Sequence, residues 1–266
     1  MASHITRPLL LLILLAGLLP LHVAAQGRST HPLVVVLDPG HGGHGPDASY
    51  IGAADGSGTL VEKDLTLKVA KATASLLRRA GYRVYLTRTA DQAVNWPPRD
   101  LNGDHLVDQL DDYDARTLFA NRHHADILVS IHFDGAAGVP SLHGTHGYYC
   151  PNRPFWKKSR QLAQTLTASV SASLSASGYP SPNNGVETDV ADKVPQRFPD
   201  YPWFFVLGPS WPKRITGSAM PGSLIETLYL SSPRDTAALR RPATIAAIAR
   251  GYAGGIRSYF HGRTRR

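Results

Sequence analysis

The chain has 266 residues, of which 42% are hydrophobic and 18% charged, with 24 glycines, 20 prolines and a formal net charge of +8. This composition suits one ordinary α/β domain, or two small ones with long loops, and excludes a disordered or fibrous chain. Cys150 is the only cysteine, so no internal disulfide is possible and stability must come from the core.

The N-terminus is of a different character. Arg7 supplies a positive charge, Leu9 to Leu19 form a short apolar run ended by Pro20, and Val23-Ala24-Ala25 fits a small-residue cleavage site before Gln26. Residues 1–25 therefore read as a secretory signal, too short and wrongly flanked for a spanning helix, with an uncleaved anchor as the alternative. No cysteine lies near the cleavage point, which argues against a lipoprotein, and no later run approaches membrane length. Removal of the segment takes Arg7 away and leaves the mature chain at +7. Such a charge favours an anionic partner, whether wall polymer, lipid surface or nucleic acid. The arginines are scattered except in the tail 263–266, and no nucleic-acid motif accompanies them, so nucleic acid is not expected.

The first element is Val34-Val35-Val36-Leu37, a buried strand stopped by the turn signal Asp38-Pro39-Gly40. His41 follows at the strand's carboxyl end, where ligand crevices of open α/β sheets lie. A glycine-rich loop to Gly58 leads to a helix with Leu65, Val69, Ala72 and Leu76 on one face, ending near Gly81. Thr59 and Glu62 have capping-box spacing at its start. Tyr82 to Thr87 reads as a second strand.

Next comes an acidic segment, 100–114, holding six aspartates and no Lys or Arg. Oxygen-bearing Asp100, Asn102, Asp104, Asp108 and Asp111 occupy positions 1, 3, 5, 9 and 12 of a calcium-loop pattern. His105 replaces the glycine of that pattern, and Asp111 replaces its longer Glu. A solvated acidic loop is the competing reading. A helix from about Tyr113 to His123 then feeds a buried strand, Ile127 to Ile131, with His132 at its carboxyl end. Gly144 to Cys150 reads as another strand, which makes Cys150 a buried, inert thiol. Phe155 to Gly178 is an amphipathic helix with Leu162, Leu166, Val170 and Leu174 inward. The stretch from Tyr179 to Met220, rich in Pro, Asn, Gly and aromatics, reads as a cleft wall interrupted by a strand at Phe204 to Leu207. Gly222 to Thr227 carries Glu226 on one more short apolar strand. The last helix begins near Pro242, with Ile245, Ile248, Tyr252 and Ile256 inward. There is no internal repeat and no linker to a second domain.

His41, Glu62 and His132 form a catalytic zinc set of two imidazoles and a carboxylate, leaving a fourth position for water. Glu226 on a neighbouring strand is placed to take that water's proton and pass it to a leaving nitrogen. Each residue has a plainer reading: His41 as a loop residue, Glu62 as a cap, His132 as a core histidine, Glu226 as a surface carboxylate.

Asp38-Pro39-Gly40-His41-Gly42-Gly43, Glu62-Lys63-Asp64-Leu65, Thr87-Arg88, Arg116 with Ala120-Asn121, Ser130-Ile131-His132 and Ile225-Glu226 stand in an order that resembles the zinc-dependent N-acetylmuramoyl-L-alanine amidases of bacterial peptidoglycan. The resemblance runs from about Leu33 to Phe260. It implies a single α/β domain over 26–262, with a central mostly parallel sheet of about six strands flanked by helices and the active site at the strands' carboxyl ends. It implies His41, Glu62 and His132 as zinc ligands and Glu226 as the catalytic carboxylate. The substrate would be peptidoglycan or a muropeptide, cut between the lactyl group of N-acetylmuramic acid and L-alanine, in the periplasm or the extracellular cell envelope.

Three departures accompany it. Asp134 stands where the family carries Asn. The acidic segment reads as an insertion. The stretch from Asp134 to Gly144 leaves no room for an autoinhibitory helix, so an open site is expected. A zinc peptidase acting within the stem peptide and a non-catalytic wall-binding protein are the alternatives, and the sequence does not decide whether a protein activator is needed.

Overall fold

The computed structural model describes residues 1, 31–43, 51–136, 138–190 and 200–263. The signal segment 1–25, apart from Met1, and residues 264–266 of the tail lie outside the described residues. The fold belongs to the unit Pro32–Arg266.

Six strands form one sheet in the order β2-β1-β3-β6-β4-β5. In chain order the elements are β1 (Val34–Pro39), α1 (Glu62–Arg79), β2 (Arg83–Leu86), α2 (Gln109–Arg122), β3 (Ile127–Asp134), β4 (Thr145–Tyr149), α3 (Trp156–Ala176), β5 (Asn183–Thr188), β6 (Gly222–Tyr229), α4 (Pro233–Leu239) and α5 (Pro242–Arg263). Every strand pair is parallel except β4 with β6. This is the expected α/β architecture.

The apolar runs explain the layering. Leu37, Val129, Ile131 and Ile225 face a core built with Val69 and Leu77 of α1, Leu162 and Leu166 of α3, and Ile248, Tyr252 and Ile256 of α5. The opposite face is thinner. Val36 and Leu128 pack there with Ala120 of α2 and with Met220. Tyr148 and Leu224 pack with Cys150, Val206 and Leu207. Successive strand residues alternate between these faces, so Asp38, Ser130, His132 and Glu226 share the second face, where aliphatic cover is thin enough for polar chemistry.

Three local expectations change, and two elements, β5 and α4, are added. No side chain caps α1: its N-cap is Val61, and Glu62 turns to other partners. Asp108 and Asp111 form a capping box instead, which starts α2 at Gln109, four residues before the expected Tyr113. The expected strand at 204–207 is a turn, closed by hydrogen bonds from the Leu207 and Gly208 amides to the Phe204 carbonyl. Its apolar side chains enter the core from that turn, and the strand place beside β4 goes to Asn183–Thr188, a polar run with no hydrophobic signal. The short helix α4 rests on Ser232 as N-cap with proline at its start, a local signal without a long periodic pattern.

Cys150 is buried, and burial pushes its thiol up to about 12, so it is inert as expected. Among the described residues, 135–144 contains no helix, and no helix is long and apolar enough to cross a membrane.

Candidate metal centre

The centre begins where β1 stops. The Gly40 amide donates to the Ile131 carbonyl at 3.0 Å, which keeps the chain against β3 one residue past the strand. His41 then takes a left-handed conformation, φ 60°, followed by Gly42 at 118° and Gly43 at 87°. A non-glycine residue is held there only by its surroundings, and two buried arginines supply them. Arg116 donates to the carbonyls of Pro39 at 3.1 Å and His41 at 2.9 Å. Arg88 donates to the carbonyls of Pro39 at 3.0 Å, Gly40 at 2.9 Å and Lys63 at 2.7 Å. Position 40 must be glycine, because a Cβ there would stand 2.3 Å from the His132 ring.

Asp38 anchors the arrangement beneath. It is 1% exposed, binds Arg116 at 2.8 Å, and accepts from the hydroxyls of Thr87 at 2.6 Å and Ser130 at 2.8 Å. Burial alone would raise its pKa, but the Arg116 charge and the two hydroxyls outweigh it and hold the carboxyl below the ordinary range. Arg116 is flanked on its other side by Asp112 at 2.9 Å. The charge that fixes the His41 loop is therefore neutralised inside the fold.

Glu62 reaches the centre from the first residue of α1. Its Oε1 lies 3.1 Å from Nε2 of His41 and 2.9 Å from Nδ1 of His132, and accepts from the Phe133 amide at 3.0 Å. Oε2 accepts from the Ala53 amide at 2.8 Å, so both oxygens are oriented by backbone. Burial opposes the charge on Glu62, yet His41 and His132 prevail and hold it well below the ordinary carboxylate range. Burial lowers the His132 pKa despite Glu62, which favours the neutral imidazole that a metal requires.

These three residues are the group among the described residues whose ligand atoms converge, all within 4.8 Å of one another. A tetrahedral ion about 2.0–2.1 Å from each ligand sets neighbouring ligand atoms roughly 3.3 Å apart. The Glu62 oxygen stands 3.1 and 2.9 Å from the two imidazole nitrogens, close to that edge, and two imidazoles with a carboxylate are the donor types of a zinc-type ion; the whole set spans up to 4.8 Å and would draw in around one.

Glu226 lies opposite His132 in the register of β6 with β3. Its Oε2 is buried without a hydrogen-bond partner among the described residues. Burial, and then the carboxylates of Glu62 and Asp134, raise its pKa well above the ordinary value, as suits a proton carrier. Asp134 accepts from the Gly135 amide at 2.6 Å and bonds the Tyr229 hydroxyl, and burial raises its pKa.

The acidic loop is elsewhere in the fold. Asp100 accepts from the amides of Gly103, Asp104 and His105, at 2.7, 3.2 and 3.0 Å. Asn102 accepts from the Asp104 amide at 2.9 Å. Asp104 accepts from the Leu106 amide and pairs with Arg214 at 2.5 Å. Asp111 accepts from the amides of Leu101 and Asp108 at 2.7 and 2.9 Å, and Asp108 caps α2. His105 has φ 68°, the conformation of the glycine it replaces.

Sequence reasoning brought together the three ligands and Glu226 but gave no roles to Asp38, Arg88 and Arg116. A charged residue inside an otherwise apolar strand end, as Asp38 is, was the available signal for that network.

Comparison with known proteins agrees with the geometry. A family described as N-acetylmuramoyl-L-alanine amidase matches residues 35–258. The protein named probable cell wall amidase LytH of Staphylococcus epidermidis is 26% identical over 244 residues, covering 89% of this chain. The chain spans 62% of that relative's length. N-acetylmuramoyl-L-alanine amidase AmiA of Escherichia coli is 28% identical over 255 residues, covering 86% of this chain and 76% of its own. Among solved structures, N-acetylmuramoyl-L-alanine amidase AmiC2 of Nostoc punctiforme superposes with a TM-score of 0.61 at 26% identity, covering 86% of this chain and 97% of that one.

Proposed function

The chain belongs to the N-acetylmuramoyl-L-alanine amidase family, and from that premise we propose that it hydrolyses the amide between N-acetylmuramic acid and L-alanine in peptidoglycan, with zinc as its metal. The observation that carries the reading is the convergence of His41, Glu62 and His132 at the carboxyl ends of β1 and β3, with Glu226 beside them.

His41, Glu62 and His132 would hold the ion, which when bound polarises the scissile carbonyl and lowers the pKa of water beside it. The protein's own groups do the rest. The Phe133 and Ala53 amides aim the Glu62 carboxylate. Arg88 and Arg116 hold His41 in its left-handed turn, so little rearrangement is needed on metal binding. Glu226 takes a proton from the attacking water and delivers it to the departing alanine nitrogen, whose bond to the lactyl carbon breaks as the new carbon–oxygen bond is completed. Burial and the neighbouring carboxylates of Glu62 and Asp134 raise its pKa above the ordinary carboxylate range, which favours its holding the proton between the two steps.

A zinc peptidase would need the same metal set, and a wall-binding protein would need none of it. An intact triad together with an unpartnered Glu226 oxygen supports catalysis over binding alone. The proposal includes export, through the signal in residues 1–25, to the periplasm or the extracellular cell envelope, where a +7 mature chain meets an anionic wall. The test is mass spectrometry of peptidoglycan fragments incubated with the mature protein in zinc or in chelator. Intact stem peptides released only with zinc are expected. Cleavage inside the stem would replace the reading with the peptidase.

The loop from Asp100 to Asp111 carries a separate proposal, a calcium ion held by Asp100, Asn102, Asp104, Asp108 and Asp111. Their spacing and the left-handed His105 support it. Arg214 on Asp104 and the capping box of Asp111 compete for the same oxygens.

A further inference from the structure

The row of side chains that carries the chemistry continues past Glu226. In the register of β6 with β4, Glu226 lies opposite His146; in that of β6 with β3 it lies opposite His132. Partners in register project from one face, with Cβ atoms about 4.5–5.5 Å apart in an antiparallel pair. His132, Glu226 and His146 therefore stand side by side across three strands. His146 is 7% exposed and its ring stacks on Tyr148 at 4.7 Å. Its Nε2 lies 3.5 Å from Oε1 of Glu187 on β5, whose side chain is 52% exposed. Phe204 packs edge-on against Tyr148 at 5.2 Å and closes this floor from the side of the long loop.

We propose that His146, held by Glu187, is a specificity-determining residue that hydrogen-bonds the peptide backbone of the leaving group. The inference rests on the amidase reading above. Glu226 must reach both the attacking water and the departing nitrogen. The metal ligands lie on the His132 side of Glu226, so the acyl carbonyl belongs there. The departing nitrogen, with the rest of the peptide attached, then runs toward His146. With Nε2–H turned toward the Glu187 carboxylate, a neutral imidazole presents Nδ1 as an acceptor for a peptide N–H of the leaving group. Burial and stacking on Tyr148 orient the ring, with the Glu187 carboxylate 3.5 Å from Nε2, and leave little orientational freedom to lose on binding. A solvated surface histidine would be neither buried nor clamped in this way.

The experiment compares two substrates: N-acetylmuramic acid carrying L-alanine alone, and the same sugar carrying a full stem peptide. kcat/KM is measured for wild type, His146→Ala and Glu187→Gln. The preference for the full stem over alanine alone should fall at least about tenfold in His146→Ala, the loss of one buried hydrogen bond to substrate. Glu187→Gln, at a half-exposed position, should reduce it in the same direction, and it serves if the first variant fails to fold. Equal losses on both substrates in both variants, or wild-type preference in both, would overturn the proposal. Wild-type protein that binds zinc and cleaves neither substrate would overturn the amidase reading and this inference with it.

Discussion

The Arg116 guanidinium binds the Asp38 carboxylate at 2.8 Å and, through the same group, the His41 carbonyl at 2.9 Å. One buried cation thus joins the end of β1 to His41, the first residue of the proposed metal set. Removing it would leave Asp38 and Asp112 buried without their counter-charge, a loss of about 3–5 kcal/mol. Arg116→Met should therefore lower stability by that order, read from the urea midpoint. Arg116→Lys keeps the charge but loses the fork, and should fold while binding zinc about 10–100-fold more weakly. Chelator competition measures this, and unchanged zinc affinity in the lysine variant would remove Arg116 from the support of His41.

Glu226→Gln keeps the shape of the side chain and removes its base. Zinc content should stay at wild type while kcat falls about 10²–10⁴-fold. Wild-type turnover of muropeptides by the variant would show that Glu226 is not the proton carrier.

Gly40→Ala tests how tightly the ligand loop is packed. The added methyl would stand 2.3 Å from the His132 ring, so the ring must leave its position beside Glu62. Zinc affinity should drop, with a stability loss of about 1–3 kcal/mol for the overpacking. Metal content by mass spectrometry and the thermal midpoint read the two effects separately.

Asp189 gives the fold a pH dependence away from the metal. It is fully buried, one of its oxygens lacks a hydrogen-bond partner among the described residues, and burial raises its pKa to about 7. The native chain then holds a proton that the unfolded chain releases near pH 4, so this contribution is complete below about 4 and lost as pH rises through about 7. The amount is on the order of 4 kcal/mol. Asp189→Asn should be more stable than wild type at pH 8 and lose that advantage by pH 4.5, measured as the urea midpoint at each pH. Parallel curves for the two proteins would contradict the assignment.

The acidic loop has its own test. Calcium should raise the melting temperature of the wild-type protein and leave Asp104→Ala unmoved. Equal melting temperatures in calcium and in chelator for the wild type would end the calcium proposal, leaving the loop as backbone turns tied down by Arg214.

The central strands and the placement of His41 and His132 were legible because buried runs such as Val34 to Leu37 and Ile127 to Ile131 end in residues whose chemistry has no use in a core. What stayed hidden lacks such contrast. β5 is polar, with Gly185 in its middle, and forms only because β4 offers it an open edge. Phe204 to Leu207 has a strand's composition, yet a turn buries the same side chains at less extension. Glu62 looked like a cap because it stands at capping-box spacing from Thr59, whereas its carboxylate contacts His41 and His132. Arg88 and Arg116 were seen as motif residues without roles, since their partners are mostly carbonyls, which one-dimensional patterns do not display. His146 was passed over as one histidine in a short strand, and only the β4–β6 register sets it beside Glu226.

Glu62 and His132 lie 70 residues apart in the chain, yet their ligand atoms come within 2.9 Å. An ion that needs both can be captured only after β3 has docked beside β1 and α1 has settled over them. Zinc uptake during refolding would then report the docking of β3 beside β1, lagging the formation of α1 and arriving with that long-range pairing. A chain threaded across a membrane unfolded would gain its metal at its destination, and the zinc supply there would set how much of it becomes competent.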